Sequence, residues 1–167
     1  MEIKIKDALL AQAAQEGMDE FIKVFVDAIH DAIGGELSAE TMPKLNADQI
    51  TLLAYYYLRE EVMDGGFIQL THNGLGGFIF LNPFARAIRE WGLPTLSPII
   101  NGCHKLYKKY REELEKDYTD EEFMALFEKY PDFDKYDDAF VESEEEFTEA
   151  VARYVDDNIE KFATIVE

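Results

Sequence analysis

The chain has 167 residues, of which 35 are Asp or Glu and 16 are Lys or Arg, so its formal net charge is −19. A field of this sign repels phosphates and anionic lipid headgroups, which argues against direct binding of nucleic acid or of a membrane surface. The single cysteine, Cys103, excludes an internal disulfide framework, and the lack of a leader pattern or long apolar run makes the cytoplasm the expected compartment.

Helical periodicity dominates from the first residues and predicts an all-α protein. We expect a single compact domain over 1–167 with roughly seven to nine helices, in which 1–45 forms N-terminal helices and 46–167 the core. The first two helices are predicted at about 6–16 and 18–33, where glycines end them. The second carries apolar residues at helical spacing: Phe21, Ile22, Phe25, Val26 and Ile29.

The pattern in the middle of the chain predicts a long helix with an interruption. Asn46 with Gln49 predicts a capping box at its start. Gly65 and Gly66 interrupt the pattern before a short helix at 67–72 and a glycine-rich loop. The segment 78–81 is the one stretch that could be extended.

The remaining elements are predicted from start signals and periodicity. Two cap-plus-proline pairs and two capping boxes supply these signals: Asn82-Pro83, Ser97-Pro98, Thr119 with Glu122, and Ser143 with Glu146. They predict a helix ending near Trp91, a long helix from 99, and acid-rich helices at about 120–130 and 144–165. Residues 131–142 are expected to form a connector.

Acidic residues concentrate near the carboxyl end. Residues 111–167 hold 21 acids and 6 bases, whereas 1–110 hold 14 acids and 10 bases. At about 100° per residue, six acids of the last predicted helix share one sector roughly 120° wide, at about one acid per 4 Å along the axis. They are Glu145, Glu146, Glu149, Asp156, Asp157 and Glu160. Four more acids precede them and extend the expected partner-binding surface: Asp117, Asp120, Glu121 and Glu122.

Two other interpretations of these residues remain open. The acidic sector has the pattern of the solvated outer face of any amphipathic helix. Separately, Glu61, His72 and Asn73 lie close in sequence and could form an acid–base or metal site. Paired glycines with nearby amides more often form a helix stop, so we expect no catalytic residue, no metal and no cofactor.

The block Tyr55–Gly74 resembles the core motif of the bacterial DNA-mimic protein family, an acidic all-helical group. In this motif a helix ends in a pattern of glutamate, Gly-Gly-Phe-x-Gln and a later asparagine. The matching positions are Gly65, Gly66, Phe67, Gln69 and Asn73. The resemblance extends over about 45–167 and implies that these five residues are a structural signature. It transfers no acidic contact residue.

The resemblance implies a function as well as a fold. A DNA mimic presents a DNA-like negative surface to the DNA-binding face of a basic partner such as a transcription factor. The alternatives are an immunity-type or adaptor protein that binds another basic protein, and a small enzyme or metal-site protein. In each protein-binding case the expected state is a monomer or a homodimer.

Overall fold

The computed structural model describes all residues, Met1–Glu167. It contains nine α-helices: α1 Asp7–Glu16, α2 Met18–Ile33, α3 Ala47–His72, α4 Gly76–Phe80, α5 Phe84–Glu90, α6 Leu96–Leu114, α7 Asp120–Lys129, α8 Asp134–Asp157 and α9 Ile159–Phe162. Two short strands, β1 Lys4–Lys6 and β2 Thr164–Val166, complete it with 3₁₀ turns at Met42–Lys44 and Pro131–Phe133. The predicted all-α class is confirmed.

The residues group into two compact units. Unit 1 comprises 1–56 and 146–167, and unit 2 comprises 57–145. The boundaries predicted from the sequence, 1–45 and 46–167, stay a prediction. None of the nine helices combines the length and the apolar composition that a membrane span requires.

Unit 1 contains both ends of the chain, which contact each other. β1 and β2 pair in parallel, with Ile5 opposite Ile165. The predicted capping box at the start of α3 is confirmed, because Gln49 N–H donates to Asn46 Oδ1 at 2.8 Å and Asn46 N–H donates to Gln49 Oε1 at 3.0 Å. Gln49 Nε2 also donates to the carbonyl of Phe162, whose ring packs against Phe25.

Unit 2 is built around aromatic side chains. Phe67 and Phe140 are fully buried and meet edge to face, with ring centroids 6.4 Å apart. Tyr110 of α6 packs on Tyr130 and on Phe133. Burial of such large rings supplies the strongest hydrophobic contribution available to a helical core.

The predicted connector at 131–142 is wrong, since α8 begins at Asp134. Phe133, Phe140 and Phe147 recur every seven residues and are all buried. This apolar stripe favours a helix along its length despite the surrounding charge. Ser143 and Glu146 therefore lie inside a helix, and the predicted capping box there does not exist.

Other local expectations also need correction. Residues 78–81 are not extended, because 76–80 form α4. Neither Asn82 nor Ser97 caps a helix: Pro83 precedes α5 directly, and α6 already begins at Leu96. The sequence signalled no strand, and three-residue strands such as β1 and β2 are too short for alternation to detect.

Candidate functional site

The glycine pair interrupts α3 as the sequence predicted. Gly65 has φ −145° and ψ 17°, and Gly66 has φ 71° and ψ −172°. The conformation of Gly66 is essentially restricted to glycine. A Cβ atom at Gly66 would also lie 2.5 Å from Asp137 Oδ2. We call Gly65, Gly66 and the side chains that enclose them the glycine joint.

The motif amides close one side of the glycine joint. Gln69 Nε2 donates to Glu61 Oε2 at 3.0 Å and to Asp64 Oδ2 at 2.9 Å. Asn73 Nδ2 donates to the same Glu61 oxygen at 2.9 Å. These hydrogen bonds link carboxylates before the break in α3 to amide side chains after it.

The other side of the glycine joint is closed by Asp137, which no local sequence pattern marks. Phe67 N–H, the first donor after the break, donates to Asp137 Oδ1 at 2.8 Å. Asp137 thus acts as an N-cap supplied from a distant part of the chain. Asp137 was not predicted as a site residue because residues 131–142 were expected to form a connector. The seven-residue spacing of Phe133 and Phe140 is the signal that indicates a helix there.

The pKa of Asp137 is raised from its ordinary value to about 6, chiefly by burial. The negative charges of Asp134 and Asp138 raise it further, while the Phe67 N–H lowers it. Because the folded state holds the proton more tightly than the unfolded state, this group stabilises the fold most at low pH. That contribution is lost as the pH rises through about 6.

We therefore expect Asp137→Asn, which keeps an oxygen acceptor but cannot ionise, to gain stability relative to the unmodified protein as the pH rises from 4 to 8. Thermal unfolding of both proteins across this range measures the difference. Asp137→Ala, which removes the acceptor, should be destabilised by about 1 kcal/mol or more where the carboxyl is protonated. A melting-temperature difference for Asp137→Asn that is constant with pH would contradict the assignment.

The three residues of the alternative enzyme or metal site do not converge. Glu61 and Asn73 are joined by the hydrogen bond described above, but His72 Nδ1 donates to the Leu114 carbonyl at 2.8 Å. The His72 ring lies between Tyr118 and Phe123, with centroids 5.8 and 4.9 Å away. No group of three or more metal-ligating side chains is present. The local geometry is that of packing and helix-end hydrogen bonding.

Unit 1 presents five of the predicted acids, which we call the unit 1 acidic surface. All are exposed: Glu146, Glu149, Asp156, Asp157 and Glu160. Glu149 pairs with Arg153 at 2.8 Å, an exposed contact that leaves the carboxylate accessible. Glu160 lies on α9, after a break at Asn158, so the single-helix spacing assumed for it is wrong.

Unit 2 presents the other five predicted acids, all exposed: Asp117, Asp120, Glu121, Glu122 and Glu145. Glu122 also closes a capping box with Thr119, as predicted. Three further exposed acids, outside the ten predicted ones, share a sector about 80° wide with Glu145 on α8: Asp134, Asp138 and Glu142. These eight residues form the unit 2 acidic surface.

One acid of α8 lies inside the protein, between exposed acids of the two acidic surfaces. Glu144 is buried and forms an ion pair with Arg59. The sequence placed Glu144 in a first helical turn, where the helix dipole stabilises an anion, but α8 starts ten residues earlier. Its role is therefore an internal ion pair, and it contributes little to a surface for a partner.

The unit 1 acidic surface borders an apolar depression of about 340 Å³. Its apolar lining includes Phe21, Ala152 and Met18, and Met18 is 42% exposed. Two acids of the unit 1 acidic surface, Glu149 and Asp156, also line it. Apolar area beside charged groups is the usual composition of a protein interface, where an apolar centre is surrounded by a polar rim.

Comparison with known proteins adds an independent finding. A family model described as DMP19-like protein matches residues 43–158. The chain is 32% identical over 128 residues to the DNA mimic protein DMP19 of Neisseria meningitidis serogroup B. That alignment covers 75% of this chain and 77% of the relative. The region matched by the family model contains the glycine joint, Asp137 and most of both acidic surfaces.

Proposed function

Because the chain belongs to the family of DMP19-like proteins, we propose that it acts as a DNA mimic. Its acidic surfaces bind the DNA-binding face of a basic protein such as a transcription factor and keep that protein from DNA. The observation that carries the proposal is the exposure of all ten predicted acids. Nine of them lie on α7, α8 or α9, and Asp117 lies in the loop before α7.

Geometry supports this use of the charge in unit 2. In unit 2, the four acids of α8 from Asp134 to Glu145 extend over about 16 Å at about 1.5 Å per residue. They follow one another at roughly 5 Å, compared with about 3.4 Å between phosphates along one DNA strand. Buried Phe140 in α8 and buried Phe133 in the turn just before it anchor the helix and hold these charges in place. A pre-positioned row of anions loses little entropy when a basic surface binds.

The mode of binding follows from the same charges. A strongly negative surface accelerates encounter with a basic protein, so the association rate should fall as salt is added. DNA releases condensed counterions when it is bound, and a folded acidic protein carries far fewer of them. The affinity for the partner should therefore depend less steeply on salt than the partner's own affinity for DNA.

Competition with duplex DNA tests the proposal. The immobilised chain is incubated with host-cell lysate at low salt, captured proteins are identified and purified, and their binding is measured with increasing duplex DNA. We expect at least one captured protein that binds DNA by itself and that DNA displaces from this chain in a competitive manner. Capture only of proteins that DNA does not displace would contradict mimicry and favour the immunity-type or adaptor function.

A further inference from the structure

One segment of this acidic chain is basic. Residues 82–110 contain five Lys or Arg side chains and a single acid, Glu90. The segment includes α5 and most of α6, which lie against each other in unit 2. None of the residues of either acidic surface belongs to it.

Two adjoining cavities open along this segment, with volumes of about 280 and 500 Å³. They share Arg89, Ser97 and Asn101 as lining residues. Arg86, Asn82 and His104 line the smaller cavity, and Lys105 and Tyr136 line the larger. No Asp or Glu lines either cavity, although the chain has 35 of them.

The cations at these cavities are largely uncompensated. Arg89 and Lys105 form no ion pair, and Arg86 meets Glu90 only at 3.6 Å on the exposed surface. Guanidinium groups offer several N–H donors in a fixed plane that matches the oxygens of a carboxylate or phosphate. The Asn and Ser side chains at the shared wall add neutral donors. An oxyanion in these cavities would therefore gain charge-assisted hydrogen bonds.

His104 provides a second and independent observation. Its ring stacks on Phe80 with an interplanar angle of 12°, and its Nε2 atom is enclosed without any hydrogen-bond partner. Enclosed polar atoms in folded proteins nearly always have a partner. His104 lines the smaller cavity, so a ligand there lies beside a polar group that the protein leaves unsatisfied.

We propose that these cavities bind a small organic anion, whose carboxylate or phosphate group contacts Arg89 and Asn101. Ile79, Phe80 and Ile100 line the smaller cavity and are themselves nearly fully buried, so they form its apolar floor. The combined size lies in the range of small-molecule sites. Such binding is separate from the proposed mimicry, because no residue of the acidic surfaces lines the cavities.

The test uses phenyl phosphate and benzoate as probes, with the full-length protein labelled for NMR. We expect at least one probe to shift the resonances of the Asn101 amide and the His104 ring in a saturable manner. Arg89→Gln should weaken binding about tenfold or more, since a hydrogen bond to a charged group is lost. Arg153→Gln is the matched control, because Arg153 is exposed, lies in unit 1 and lines neither cavity.

The outcomes distinguish binding of a probe in these cavities from general electrostatic attraction of anions to the protein. A probe that binds the Arg89→Gln variant as tightly as the unmodified protein would overturn the proposal. So would shifts no larger than those produced by sodium chloride at equal ionic strength. Weaker binding by Arg89→Gln with binding by Arg153→Gln unchanged within twofold supports it, and the stronger of the two probes identifies the preferred anionic group.

Discussion

Replacement of Gly66 by alanine is expected to lower the free energy of unfolding by about 3 kcal/mol. A side chain at φ 71° and ψ −172° is strained, which alone costs roughly 1–3 kcal/mol. The new Cβ would also lie 2.5 Å from Asp137 Oδ2 and displace the carboxylate that caps Phe67. For a chain of this length the melting temperature should fall by roughly 6–12 °C, measured by circular dichroism.

Gly77→Ala is the matched control for this substitution. Gly77 lies in α4 of the same unit, and a Cβ there would meet its nearest neighbours at 3.9 and 4.0 Å, an ordinary contact distance. This variant should keep or slightly raise the melting temperature, because alanine favours a helix over glycine. Equal stability of the Gly66→Ala and Gly77→Ala proteins would disprove the strain assigned to the glycine joint.

Combining Gly66→Ala with Asp137→Ala separates the two causes. Removal of the carboxylate relieves the close contact but leaves the backbone strain. We expect the alanine at Gly66 to cost less in the Asp137→Ala background than alone, yet still to destabilise. The difference, obtained from a double-mutant cycle of unfolding free energies, measures the coupling between the two positions.

Neutralising the acidic surfaces should weaken binding of the partner identified by DNA competition. Two fourfold variants each remove four negative charges from one unit. The unit 1 variant carries Glu146→Gln, Glu149→Gln, Asp156→Asn and Glu160→Gln, and the unit 2 variant carries Asp134→Asn, Asp138→Asn, Glu142→Gln and Glu145→Gln. At low salt we expect at least one of them to bind about tenfold more weakly, mainly through slower association.

A third variant controls for net charge. Glu2, Glu16, Glu36 and Glu40 are exposed and precede the region matched by the family model, and their replacement by Gln changes the total charge equally. Its affinity should stay within about threefold of the unmodified protein, as measured by surface plasmon resonance at several salt concentrations. If the three variants weaken binding alike, only the overall charge matters and neither acidic surface is a binding site.

These variants should leave the fold intact. Every substituted side chain is exposed, and surface substitutions of this kind usually change stability by no more than about 0.5 kcal/mol each. Unfolding curves of each variant check this before the binding data are interpreted. A loss of affinity in a stable variant therefore reports on the surface itself.

Much of the helical framework could be predicted from the sequence because its signals are local. The capping boxes at Asn46 and Thr119 join residues three positions apart, and both are present in the structure. The break at Gly65 and Gly66 was equally visible, since a glycine pair interrupts any helical pattern. Exposure of the ten predicted acids follows from the cost of removing a charge from water.

The exceptions among the acids were decided by the tertiary structure. Glu144 and Asp137 lie among exposed acids in the chain, but each follows a buried phenylalanine of α8 or its preceding turn by four residues and meets a distant partner. Glu144 pairs with Arg59, 85 residues away, and Asp137 caps Phe67, 70 residues away. No periodicity or spacing within the chain indicates such pairs, because they depend on which helices pack together.

The sequence by itself determined an all-α protein with its negative charge gathered toward the carboxyl end, because helix periodicity and charge are properties of neighbouring residues. Only the tertiary structure decided that β1 pairs with β2, that His72 donates to Leu114 rather than joining Glu61, and that basic side chains line two cavities in unit 2. The physical reason is the same in each case. A hydrogen bond, a buried ion pair or a cavity wall forms between groups that are distant in sequence, and its energy depends on the removal of water that packing brings about.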